Sequence, residues 1–330
     1  MLRILKSFIR NNPFVITFML LPLVFGISLL SGDTNLFSPE YQTEDIMIIL
    51  QLRLTRALTA FAVGGSLAVA GLAYQAVLRN PLAEPFILGI SGGAGIGAAI
   101  AIISGLAAMS SLSIPVIAFA SAISVLTLVL ILAGGESSVY TTNIMLSGII
   151  IGTVCSSMMM FIISTLGVEQ LNSVTWWMLG NLQALDPPLL IFAGILAPVG
   201  TLILFLLGRE ANVISLGEDM AWHFGVSPKG TIYTLLGIAS LLTAASVALS
   251  GIIGFVGLIV PHILRSLFGA DHRRLFPLGL FGGGMFLILC DTISRSILPA
   301  QEIPIGVVTA SLGGPFFLWL LNRRKKAVKQ

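Results

Sequence analysis

Few residues in this chain are of a type and spacing that could do chemistry. Asp291 stands inside the apolar run Leu275–Leu298, and Arg295 follows four positions later, the spacing of an intrahelical ion pair. An aspartyl protease of the membrane needs two intramembrane aspartates, and Asp291 is one. His223, His262 and His272 are scattered, and His262, placed after Pro261, reads as a structural histidine rather than a ligand. No H-E-x-x-H is present, which removes the usual zinc protease. No G-x-x-x-x-G-K-[ST] is present either, so the chain has no P-loop for ATP phosphates. Cys155 and Cys290 lie in apolar runs without neighbouring Cys or His, so they read as small core residues. Met158, Met159 and Met160 are consecutive and point in different directions on a helix, which suits packing better than a metal relay. No metal site and no cofactor are expected in this chain.

Composition narrows the elements that must carry these residues. The chain has 330 residues, of which 9 % are charged and 56 % hydrophobic. Soluble domains carry about 25 % charge. Its mean hydropathy is +1.01. A soluble enzyme, a nucleic-acid binder and a disordered chain are excluded, because none could keep that much apolar surface from water. An outer-membrane barrel fits poorly, since its alternating strands dilute mean hydropathy. A polytopic helical membrane protein remains, as a single domain over residues 1–330.

The gaps between charges give the spans, since a helix crosses the hydrocarbon core in about 20 residues. Asn11–Gly32, Ala57–Leu78, Ser137–Val168, Pro187–Gly208, Leu275–Leu298 and Ile303–Asn322 each hold one. Pro85–Gly135 holds two, with a turn at Ser110–Ser113 and Pro115, and Gly230–Leu264 holds two short ones broken near Ser250-Gly251. Ten spans result. Gln170–Leu185, with Trp176, Trp177 and Asn181, reads as an interfacial helix.

Ten spans put both termini on one side, and both are basic. The positive-inside rule places them in the cytoplasm, and 14 of the 17 basic residues then fall inside. No A-x-A site follows Leu30, so the first apolar run is read as a span and not a signal peptide. Arg53, Arg56 and Arg295 are the basic residues left outside. They read either as interfacial anchors that snorkel or, the reading favoured here, as a basic patch for an acidic partner.

A transporter needs an energy source, and an ion-coupled carrier working alone would show several carboxylates in its spans. Here nearly all acids sit between the spans. The cytoplasmic segment 209–230 mixes charge with Met220, Trp222 and Phe224, which favours docking of another subunit over a solvated loop.

Several stretches resemble the permease subunits of the ABC importers for iron–siderophores, haem and vitamin B12. Arg53-Leu54-Thr55-Arg56 with Gly64-Gly65-Ser66 resembles the family's R-L-P-R helix start, Thr55 standing for Pro. Arg79-Asn80-Pro81-Leu82-Ala83-Glu84-Pro85 resembles its R-N-P-L-A-[DE]-P loop, and Trp177 to Gly180 its W-x-x-G. Leu216-Gly217-Glu218 with Ala221 and Gly225 resembles its L-G-x-x-x-A-x-x-x-G coupling segment. Gly254–His262, Gly269–Arg273, Asp291, Arg295 and Glu302–Thr309 complete the match.

The resemblance implies an all-α, ten-helix permease like that of the vitamin B12 importer, in the bacterial inner membrane and working as a homodimer. Two ATP-binding subunits holding ATP and Mg would dock on Leu216, Gly217, Glu218, Ala221 and Gly225. A periplasmic or lipid-anchored binding protein would dock on Arg53, Arg56 and Arg295. Asn80, Leu82, Tyr140, Thr141 and Thr142 match inner-gate positions. The implied activity is import of a bulky metal chelate, iron–siderophore first, with haem or corrinoid close behind. The competing reading is a stand-alone ion-coupled secondary transporter. Ser147, Thr153, Ser156 and Ser157 suit a weakly sticky pathway wall and equally a close helix contact.

Overall fold

The computed structural model describes residues 12–32, 42–134, 140–183, 186–298 and 301–328, and their side chains apart from those of 140 and 321–328. The basic residues of both termini therefore lie outside the described side chains. No strand occurs among the described residues.

Among the described residues, seven helices are long and apolar enough to cross a membrane. They are α1 (Pro13–Leu30), α2 (Thr43–Val77), α5 (Ser113–Leu132), α6 (Tyr140–Ser164), α8 (Pro187–Leu206), α11 (Pro228–Ser250) and α13 (His272–Ser296). Three shorter apolar helices are α3 (Ile90–Ile103), α12 (Val256–Phe268) and the apolar part of α14 (Ile305–Val328). Together they occupy the ten expected spans. The remaining helices are α4 (Leu106–Met109), α7 (Val168–Met178), α9 (Gly208–Ile214) and α10 (Glu218–His223). Helix α7 covers the first part of the segment Gln170–Leu185 that was expected as an interfacial helix, starting two residues earlier and ending at Met178.

The core is built by α2, α11 and α13, whose buried residues are mostly Ala, Gly, Leu and Val. Small residues let backbones approach closely, which substitutes for the hydrophobic drive that lipid does not supply. A Cβ on Gly64 would strike the carbonyl of Gly283, and one on Gly283 would strike that of Gly64. Helices α2 and α13 therefore lie in direct backbone contact. In contrast α1, α5, α6 and α8 turn broad apolar faces outward.

Two segments show why α3 and α12 are short. A 13-residue helix reaches only about 20 Å, against a hydrocarbon core of about 30 Å. The difference is made up by irregular backbone, whose polar groups need partners inside the protein. Before α12, Glu84 Oε1 accepts from the N–H of Phe255 at 2.7 Å, and Phe255 holds a left-handed φ of 68°. Gln75 Nε2 donates to the carbonyls of Ala83 and Gly257 at 3.2 and 3.0 Å. Before α3, a 3-10 turn at Pro85–Leu88 ends at Gly89, which packs against Gly152 near the midpoint of α6. The chain thus dips into the bundle before both α3 and α12.

One boundary differs from the sequence reading. Helix α2 starts at Thr43, so Arg53 and Arg56 lie inside it and not at its entry. Asp45 Oδ2 accepts from the N–H of Gln42 at 3.1 Å, closing the first turn upstream of the arginines.

Candidate functional site

A cavity of about 530 Å³ runs between the 3-10 turn, α3 and α6. Glycines 89, 92, 95, 148 and 152 open it, and Ile87, Ile149, Met159 and Met160 give it an apolar wall. Thr153 and Ser156 line it too, as expected, while Ser147 and Ser157 do not. Their hydroxyls are already committed: Thr153 Oγ1 donates to Ile149 O and Ser156 Oγ to Gly152 O, both at 2.9 Å. A hydroxyl bonded back to its own helix offers little to a passing molecule. The wall carries no formal charge. Such a surface can guide a bulky molecule without holding it.

The methionines behave as their spacing requires. Met159 is buried against Ala99 and Val174, whereas Met158 and Met160 are exposed. Cys155 and Cys290 are free buried thiols, and no metal-holding group of His, Cys, Asp or Glu occurs among the described residues. His262 packs edge-on against Phe316, 5.8 Å between ring centres.

At one end of the bundle the expected gate and coupling residues meet. Thr141 Oγ1, on the first turn of α6, donates to Glu218 Oε1 at 2.9 Å. Glu218 opens α10, whose N-cap is Gly217 at a φ of 121°, a conformation that a side chain would strain. A Cβ there would lie 3.4 Å from Arg79 Nη1, so the loop after α2 reaches the same point. Asn80 Oδ1 accepts from the N–H of Leu82 at 2.9 Å, fixing that loop with Leu82 turned outward. Thr142 is exposed beside Thr141, and the side chain of Tyr140 lies outside the described residues. Ala221 is fully buried under α10, while Leu216, Met220, Trp222 and Phe224 are exposed. Gly225 ends the segment at a φ of 71°.

At the opposite end lies a cluster of charges. Asp291, with no exposed surface, receives Arg56 Nε at 2.7 Å and Arg295 Nε at 3.0 Å. The Arg295 contact is the intrahelical pair that its spacing predicts. Arg56 Nη1 also binds Glu302, whose two oxygens lie 2.8 Å away and whose side chain is 51 % exposed. Arg295 further donates to Ser28 O, Ser28 Oγ and Ser31 O, and Arg53 Nη1 donates to Leu29 O at 3.0 Å. These carbonyls belong to the last turn of α1, which has no helical partner for them. Cations at a helix C-terminus are also favoured by its dipole.

The three arginines expected to meet a partner differ in their surroundings. Arg53 and Arg295 are only 6 % and 7 % exposed and serve to hold α1 against α2 and α13. Arg56 alone stays near the surface, at the edge of a 300 Å³ pocket with Trp176, Asn181, Gln183, Glu302 and Pro304. Sequence reasoning gave the Arg295–Asp291 pair and missed that of Arg56 with Asp291. The signal was present in charge balance, because one acid inside an apolar run with arginines at matching depth calls for an internal pair. Gln75 and Glu84, the residues that satisfy irregular backbone, carried no signal beyond their motif.

Comparison with known proteins follows from this geometry. A model of the FecCD transport family matches residues 14–323. The chain is 35 % identical over 336 residues to the hemin transport system permease protein HmuU of Yersinia pestis, covering 96 % of this chain and 98 % of that one. It is 36 % identical over 322 residues to the vitamin B12 import system permease protein BtuC of Yersinia enterocolitica, covering 96 % and 94 %. Among solved structures, a metal-chelate type ABC transporter in an inward-facing conformation superposes with a TM-score of 0.82 at 31 % identity, covering 93 % of this chain and 97 % of that one.

Proposed function

The chain belongs to the FecCD transport family, and from that premise we propose that it is the membrane-spanning subunit of an ATP-driven importer for a bulky metal chelate. The cargo class spans iron–siderophore, haem and corrinoid. The names of the relatives support the last two, since HmuU carries the word hemin and BtuC vitamin B12. The chain supplies the pathway and no ATP site, so partner subunits bind and hydrolyse the nucleotide.

One observation carries this reading: Glu218 of the segment 209–230 is bonded to Thr141 at the foot of α6, the helix that lines the cavity. A push on that segment is delivered directly to the pathway wall. The exposed Leu216, Met220, Trp222 and Phe224 supply an apolar surface for the ATPase to push on. In this proposal both termini and the segment 209–230 are cytoplasmic in an inner membrane, and the Arg56 pocket faces the binding protein. The outward face of α6 is covered by a second copy, making a homodimer around a shared pathway.

The test is ATP hydrolysis by the chain co-purified with its ATPase subunits in liposomes. Addition of the loaded binding protein should raise turnover. Turnover that is indifferent to the binding protein removes the proposal.

A further inference from the structure

Three polar groups fasten the segment 209–230 to the first turn of α13. Asn212, on α9, donates from Nδ2 to Asp271 Oδ1 at 2.8 Å. Its Oδ1 accepts from the backbone N–H of His272 at 2.8 Å and contacts His272 Nδ1 at 2.7 Å. An amide oxygen only accepts, so His272 carries its proton on Nδ1. The reverse amide orientation would set two donors face to face at the His272 N–H. Asp271 in turn is the N-cap of α13, accepting from the N–H of Arg273 at 3.1 Å. Burial pulls its carboxyl upward, but the Asn212 and Arg273 hydrogen bonds and the charges of Arg274 and Arg273 outweigh this and hold it below the usual carboxylate value. Gly208 lies so close to Arg273 that a Cβ would stand 2.8 Å from its Cγ.

Helix α13 is unbroken from His272 to Ser296 and so spans about 37 Å. Its first turn carries the Asn212 clasp, and its last two turns carry Asp291 and Arg295. Pro277 removes one hydrogen bond in its second turn, and beyond it α13 is in backbone contact with α2 at Gly64 and Gly283. One continuous helix therefore joins the segment that faces the ATPase to the charge cluster that holds Arg56.

We propose that Asn212 is a positioning residue which locks the coupling segment to α13, so that α13 carries movement between the ATPase side and the binding-protein side. The inference rests on the transport reading above. It assigns the transmission to a named contact rather than to the bundle at large, and it makes the Thr141–Glu218 contact a second, separate output to the pathway wall.

The experiment compares N212D, D271N and the double variant N212D/D271N in the full complex in liposomes. The quantity read is the ratio of binding-protein-stimulated to basal ATP hydrolysis. N212D sets a carboxylate against Asp271 and should lower the ratio about fivefold or more, in the range of measured coupling between sites. D271N keeps an acceptor for Asn212 and a good helix cap, so it should stay near wild type. The double variant returns a donor to the contact, at the cost of the acceptor that the Arg273 N–H shares with it, and should recover the ratio in part. A merely structural role would lower basal and stimulated rates together and leave the ratio unchanged. A second measurement uses the permease alone: amide exchange at His272 should quicken in N212D and slow again in the double variant. Unchanged exchange at His272, or a ratio that N212D leaves intact or that the double variant fails to raise above N212D, overturns the proposal. If wild type itself shows no stimulation while exchange behaves as expected, the transport reading fails and the coupling role falls with it.

Discussion

Asp291 is the residue on which the charge cluster of Arg56, Arg295 and Glu302 depends. It has no exposed surface and neutralises two arginines whose other donors hold α1 and Glu302. Removing one partner of a buried ion pair leaves uncompensated charge and costs about 3–5 kcal/mol. Asp291→Ala should therefore lower thermal stability in detergent, and Arg56→Lys, which keeps the charge but loses the planar fork, should do so less. In the proposed function Arg56 also receives the binding protein. An incoming carboxylate has to displace Glu302, which occupies Arg56 from the exposed side. Exposed pairs are worth about 0–1 kcal/mol, so Glu302→Gln should raise association of the binding protein by roughly twofold to fivefold, with the gain shrinking as salt rises. Surface-binding measurements at two salt concentrations check this. Arg56→Glu would place a third acid beside Asp291 and Glu302 and so confuses docking with folding, which makes Glu302→Gln the cleaner probe.

At the scale of elements, the coupling segment gives the sharpest expectation. Gly225 holds a φ of 71°, which proline cannot adopt because its ring fixes φ near −65°. Gly225→Pro should break the turn that follows α10, abolishing stimulated ATP turnover while the protein still reaches the membrane. Normal turnover by this variant would remove the segment from the coupling path. The elements themselves were legible because apolar runs between charges are long and bounded, and the break at Ser250-Gly251 and the interfacial helix at Trp176 followed from the same pattern. Three things were not legible. Helix α2 extends upstream to Thr43, and Glu44, Asp45, Arg53 and Arg56 interrupt its first half, which a search for uncharged runs passes over. The dips of the chain before α3 and α12 depend on side chains from elsewhere, Gln75 and Glu84, that satisfy their backbone. The bonds of Arg53 and Arg295 to the last carbonyls of α1 were hidden too, because a contact between helices so far apart in the chain leaves no local pattern.

For the whole molecule, the uncharged cavity, the exposed face of α6 and the absence of a P-loop form one picture of a pathway driven from outside the chain. The outward face of α6 includes Ile149, Ile150, Val154, Met158 and Phe161, and a second copy should cover it. Cysteines placed at Val154 in a cysteine-free background should therefore cross-link between copies in native membranes, and failure to do so would argue against the homodimer. The central claim is that transport needs energy from a partner ATPase. The most direct measurement is uptake of a radiolabelled metal chelate, presented by its binding protein, into liposomes holding the permease with or without its ATPase subunits. Uptake should appear only with the ATPase subunits and ATP, and should not respond to a proton gradient. Uptake driven by a proton gradient through this chain alone would contradict the account.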